Sequence, residues 1–200
     1  MERLSLADMG VSLVSILMPR DDVPVDVIHA IRMGSIEKLV QVAREDLGSG
    51  MRLTVRDLLP VDIGYTNQEY TDTSGATDNA YAATSISADT IANNTFVVVW
   101  GVRLHFPIVG VTSPPVTVLR WTVGGARVAQ WSLYNIAHTQ HPDNVEAFGI
   151  RPITGISLSP IIIRQNMPLT VDAYVVTVST GFVVTYDGAV CEPEGSILKP

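Results

Sequence analysis

The sequence has one cysteine, Cys191, which excludes an intrachain disulfide framework and a multi-cysteine zinc site. Charge is also scarce. Only 16% of the residues are Asp, Glu, Lys or Arg, and 13 basic residues stand against 20 acidic ones, for a net charge of -7. With no basic cluster, a surface that tracks phosphates is disfavoured, because nucleic-acid affinity rests on neutralising phosphate with Lys and Arg. No direct nucleic-acid partner is expected. A surface so poor in charge favours self-association, since faces buried in an assembly need less charge for solubility.

Long apolar runs are missing too. The uncharged stretch from Met9 to Met18 is ten residues, about half of a bilayer span, so no transmembrane segment is expected. The same region does not read as a signal peptide: Glu2 offsets Arg3, Asp8 interrupts the apolar stretch, and no small-residue cleavage site follows. Catalytic signatures are equally sparse. No Gly-x-Ser-x-Gly elbow occurs, Cys191 has no His near it in sequence, and no cofactor is implied. The carboxylates Asp62, Glu69, Asp72, Asp78, Asp89, Asp172 and Asp187 are scattered. A glycosidase builds its site from two carboxylates that need not be close in sequence, so a sandwich-fold hydrolase stays as a third alternative. The expectation is a protein that is not an enzyme.

What is present is hydrophobic content, 46% of 200 residues, ample for one buried core. Its pattern changes near residue 50. Before that point the spacing is helical: Leu4, Ala7, Val11, Val14 and Leu17 or Met18 fall on one stripe, and Ile36, Leu39, Val40, Ala43 and Leu47 on a second. Ser35 reads as the N-cap of the second helix and Gly48 as the residue just past its end, with PRDDVP (19–24) separating the two. Residues 1–49 therefore read as a helical N-terminal arm that packs on a neighbouring subunit or on its own β-domain.

Residues 50–200 read as an all-β domain. In FVVVWGVRLHF, the residues Phe96, Val98, Trp100, Val102, Leu104 and Phe106 alternate and are expected to share one face, with Val97 and Val99 making one end buried on both sides. Further strands are VTVLRWTV, ARVAQWSLYNI, ISLSPIII, PLTVDAYVVTV and GFVVTYDGAVC, broken at Pro114-Pro115, Gly124-Gly125, Gln165-Asn166 and Thr180-Gly181. Strand starts about 8 to 15 residues apart with no helix between them argue for an antiparallel sandwich or barrel. The pair Gly124-Gly125 joins two strands, so it reads as a type I′ hairpin rather than a phosphate loop, which would need a helix to follow.

Two polar segments, 64–95 and 137–149, interrupt the rhythm and are expected to carry contacts. Tyr65, Tyr70 and Tyr81 in the first are candidates for partner contacts, as are Leu4, Val11 and Val14 in the arm. In the second, His138, His141 and Asp143 offer metal-capable groups, but His-x-x-His before Pro142 fixes no ligand geometry and reads as a surface loop. Asn93-Asn94-Thr95 matches the N-glycosylation pattern, which means little without a secretion signal. Trp100 and Trp121 follow core patterns, although an exposed Trp or Tyr platform would suit a carbohydrate-binding or host-recognition module.

Helical arm, FVVVWGVRLHFPIVG, VTVLRWTVGGARVAQWSL and MPLTVDAYVVTVSTGFVVTYDGAVCEP together resemble a viral single jelly-roll protein. The resemblance covers residues 50–195 as a pattern and carries no diagnostic motif. It implies an antiparallel jelly-roll β-sandwich or barrel acting as a capsid subunit or capsid decoration protein of a bacteriophage or archaeal virus. Its implied partners are copies of itself and other capsid proteins, and its implied location is the virion.

Overall fold

A computed structural model describes residues 17–65, 70–86, 90–105, 115–133 and 153–196. In chain order the elements are β1 (Leu17–Pro19), α1 (Val25–Leu47), β2 (Leu53–Asp57), β3 (Thr71–Thr73), β4 (Ala80–Ala83), β5 (Phe96–His105), β6 (Val116–Val123), β7 (Ala126–Ser132), β8 (Ile153–Ile163), β9 (Leu169–Val175) and β10 (Gly181–Pro193). The strands form two antiparallel sheets. Sheet A runs β1-β8-β5-β10-β2, with β3 pairing the first part of β10 beyond the reach of β2; sheet B runs β4-β9-β6-β7.

Alternation decides which side chains lie between the sheets. On β9, Leu169, Val171, Ala173 and Val175 are buried while Thr170, Asp172 and Tyr174 face outward. On β10, Phe182, Val184 and Tyr186 point inward, and they meet Leu119, Trp121 and Trp131 from β6 and β7. Trp121 lies at the centre, its ring 5.0 Å from Trp131 and 5.1 Å from Tyr186 between centroids. This interior excludes water from large rings, each burial being favourable by roughly 1.5 to 3 kcal/mol.

The expected hairpin is present. Gly124 and Gly125 both have positive φ, 59° and 82°, as a type I′ turn demands, and Val123 pairs Ala126 across it. Turns gather at the two ends of the sandwich. At one end Ser74 N–H donates to Thr180 O at 2.9 Å and Val176 N–H to Pro115 O at 2.8 Å. At the other, Asn166 N–H donates to Ile91 O at 2.9 Å, Asn94 N–H to Gln165 Oε1 at 2.7 Å and Gly124 N–H to Pro168 O at 2.9 Å. The Asn93-Asn94-Thr95 stretch thus forms part of a turn cluster.

The helix differs from the sequence expectation. It is one 23-residue element starting after Pro24, and Ser35 lies buried in its middle. Proline, whose missing N–H costs nothing at a helix start, sets that start, while the Ser35 hydroxyl donates back to Ile31 O and is satisfied without capping. Gly48 does end the helix, with φ 97°. Leu17–Pro19 is a strand on β8, not the end of a first helix; Leu4, Val11 and Val14 lie outside the described residues. Of the two packings expected for the arm, α1 takes the one on its own β-domain. Leu39 and Ala43 pack on the outer face of sheet A against Phe96, Val98, Trp100, Ala189 and Cys191.

Strand β5 also departs from a single alternating face. Phe96, Val98 and Trp100 do share a side, under α1, and Val97 and Val99 point into the interior. An irregularity in pairing between Val99 and Gly101 then inserts Trp100 as an extra residue, so Val102 turns inward and Arg103 outward. A one-residue insertion reverses every later side chain, and only the partner strands could reveal it. Phe106 lies outside the described residues.

Candidate interaction surface

With the interior filled and part of sheet A's outer face under α1, the outer face of sheet B offers an ordered side-chain array that no described helix covers. Its rows follow from register. Tyr81 on β4 is opposite Tyr174 on β9, which is opposite Val118 on β6; one row along, Ala83, Asp172, Arg120 and Gln130 line up across all four strands. The Tyr81 and Tyr174 rings meet edge to face with centroids 5.2 Å apart. Arg120 lies over the Tyr81 ring at 3.9 Å and donates to Asp172 at 2.7 Å. Cation–π attraction and a charge-assisted hydrogen bond hold this arginine flat, which lowers the entropy a partner must remove on contact.

Of the tyrosines proposed as contacts, only Tyr81 lies on this face. Tyr65 is 5% exposed and belongs to the interior, and Tyr70 packs against it at 5.3 Å between centroids. Both are corrections: a polar sequence surrounds two tyrosines that serve the core. Burial lifts the phenols of Tyr65, Tyr70 and Tyr186 well above their ordinary range. Tyr65 O–H donates to Asp72 at 3.3 Å, and Ser85 donates to the same carboxylate from its backbone N–H and its hydroxyl, each at 3.1 Å to Oδ1. Asp72 on β3 therefore ties sheet A to the segment following β4 in sheet B, and burial raises its pKa above the ordinary carboxylate value despite these donors.

Several other charges are paired within the chain. Arg56 is held by Asp62 at 2.7 Å and Glu192 at 3.0 Å, which push its guanidinium pKa up further, and Arg164 pairs with Asp46 and Glu45 at the end of α1. Asp172 and Asp187, considered for hydrolysis, project from the outer faces of different sheets, where Arg120 and Arg103 engage them. Stacked sheets lie about 10 Å apart backbone to backbone, so these outward carboxylates do not converge on one sugar bond. Cys191 is buried beneath α1, and burial pushes its thiol up to about 11.

All three tryptophans, Trp100, Trp121 and Trp131, are buried at 7%, 0% and 0% exposure, so none forms a surface platform for sugar. His138, His141, Asp143, Glu69 and Asp89 lie outside the described residues, among which no group of three His, Cys, Asp or Glu is placed to hold a metal ion. No described helix is long and apolar enough to cross a membrane. Comparison with protein-family models, curated proteins and solved structures gives no match.

Sequence reading missed Arg120, Asp172 and Tyr174 as a unit. Each sits on the polar side of its own alternation, which was visible. What brings them together is the register of β6 on β9.

Proposed function

We propose that the chain is a structural virion protein, a jelly-roll capsid subunit or capsid decoration protein, that works by assembly. The order of the strands carries the proposal. With β2 and β3 taken as one split strand, sheet A has the order β3-β10-β5-β8 and sheet B the order β4-β9-β6-β7. Among the described strands from β3 onward, each successive strand lies in the other sheet, except across the β6–β7 hairpin. This order supports the reading of two Greek keys wound into a jelly roll, an architecture used for viral capsids and lectins among others.

Features of the surface support assembly over recognition of a small ligand inside the sandwich. The interior is filled by tryptophan, tyrosine, phenylalanine and aliphatic side chains. Sheet B presents a face bearing Tyr81, Tyr174 and Arg120, whose charge Asp172 compensates, and Tyr and Arg are residues that protein interfaces favour. Copies of this chain and other capsid proteins are the partners that fit, with the virion as location. Electron microscopy of the purified protein, alone and mixed with particles of a virus that encodes it, tests this. Regular oligomers or decorated particles are expected; a protein that stays monomeric and binds no particle overturns the proposal.

A further inference from the structure

Where α1 stops covering sheet A, the outer face opens into a cleft of about 380 Å³. Two strand irregularities meet there: the extra residue in β5 at Trp100, and three extra residues in β8, since Val99 and Gly101 pair Ile161 and Ile156. Bulges re-aim side chains and gather beside functional sites. Here they leave three of the chain's 13 basic residues, Arg20, Arg32 and Arg103, lining one depression in a molecule of net charge -7.

The three arginines are not equivalent. Arg103 is neutralised by Asp187 at 2.7 Å. Arg32 lies 5.9 Å above the Trp100 ring, and its nearest carboxylate, Asp57, is 3.7 Å away with both side chains largely exposed, a pairing that contributes little. Arg20 has no ion-pair partner among the described residues. The walls between them include Ile28, Ile156 and Trp100. The guanidinium forks of Arg20 and of the weakly paired Arg32, beside apolar walls, match a planar oxyanion attached to an apolar body, and the volume lies within the range of small-molecule sites.

We propose that this cleft binds a small organic carboxylate, the anion between Arg20 and Arg32 and the apolar part against Trp100, Ile28 and Ile156. The site is independent of the sheet B surface proposed for assembly, because its residues lie on sheet A, on α1 and in the segment before α1.

Calorimetric titration at low ionic strength tests it with three probes: benzoate, its neutral isostere benzamide, and inorganic phosphate. Benzoate is expected to bind saturably, benzamide at least about tenfold more weakly, and phosphate more weakly than benzoate, since each charged hydrogen bond is worth about tenfold or more. Arg20→Ala and Arg32→Ala, both at exposed positions, are expected to lose about tenfold in benzoate affinity, while Arg127→Ala on exposed β7 keeps it. Absence of saturable benzoate binding, equal binding of benzamide, tighter binding of phosphate, or wild-type affinity in both cleft variants overturns the proposal.

Discussion

The two apolar layers of this molecule are built differently, though β5 and β10 serve both. Between the sheets lie Trp121, Trp131, Phe182, Tyr65 and Tyr186, large rings contributed by the β6–β7 hairpin, by β10 and by the segment between β2 and β3. Between sheet A and α1 lie Leu39, Ala43, Val98, Ala189 and Cys191, with Phe96 and Trp100 the large rings among the described residues. The inner layer unites β6, β7 and β9 of sheet B with β5, β8 and β10 of sheet A; the outer one adds the helix α1 to part of one face. Interior packing should therefore set global stability and the helix layer a local increment.

Replacing Trp121 by Ala is the strongest way to break that comparison. It removes the ring that touches both Trp131 and Tyr186, and an expected loss of about 3 to 5 kcal/mol in denaturant unfolding would leave little native protein. Leu39→Ala should cost less, about 2 to 3 kcal/mol, because the helix can settle toward the sheet. Its readout is Cys191. A buried thiol held near 11 reacts slowly with thiol reagents at neutral pH, and loosening α1 in Leu39→Ala should speed labelling while near-ultraviolet dichroism from the interior tryptophans persists. Equal losses in the two variants would mean that the layers are one core.

A smaller effect is expected at the hairpin. Gly125→Ala forces a side chain into φ 82° and should cost about 1 kcal/mol without changing Cys191 labelling.

The smallest effect depends on pH. Asp72 titrates higher in the folded chain than unfolded, so its contribution to stability is present below the ordinary Asp value near 3.9 and is lost as pH rises through the folded value. Asp72→Asn removes this dependence. The stability difference between wild type and Asp72→Asn should thus shift against the wild type as pH rises above about 4, and a difference that shifts the other way would show that the donors from Ser85 and Tyr65 outweigh burial.

How much of this was legible follows from where each signal resides. Gly124-Gly125 and the alternation in β9 and β10 are local, and the hairpin and those strands stand close to where the sequence puts them. Gly48 ends the helix for the same reason. Strands β3 and β4 hide in the polar segment 64–95 because three- and four-residue edge strands with an exposed face bear little apolar pattern. Ser35 misled because a serine has the same identity whether it caps a helix or bonds back within one. The insertion at Trp100, the burial of Tyr65 and the Arg120–Asp172–Tyr81 array depend on partner strands, and register is not written in any one of them.

That strands so arranged make a self-assembling block is tested most directly by sedimentation equilibrium of the full chain over a wide concentration range. A jelly-roll building block predicts a mass that rises with concentration to a defined multiple of 21.6 kDa, with Arg120→Ala or Tyr174→Ala shifting the association to higher concentration. A mass that stays at 21.6 kDa throughout, unchanged in both variants, would contradict it.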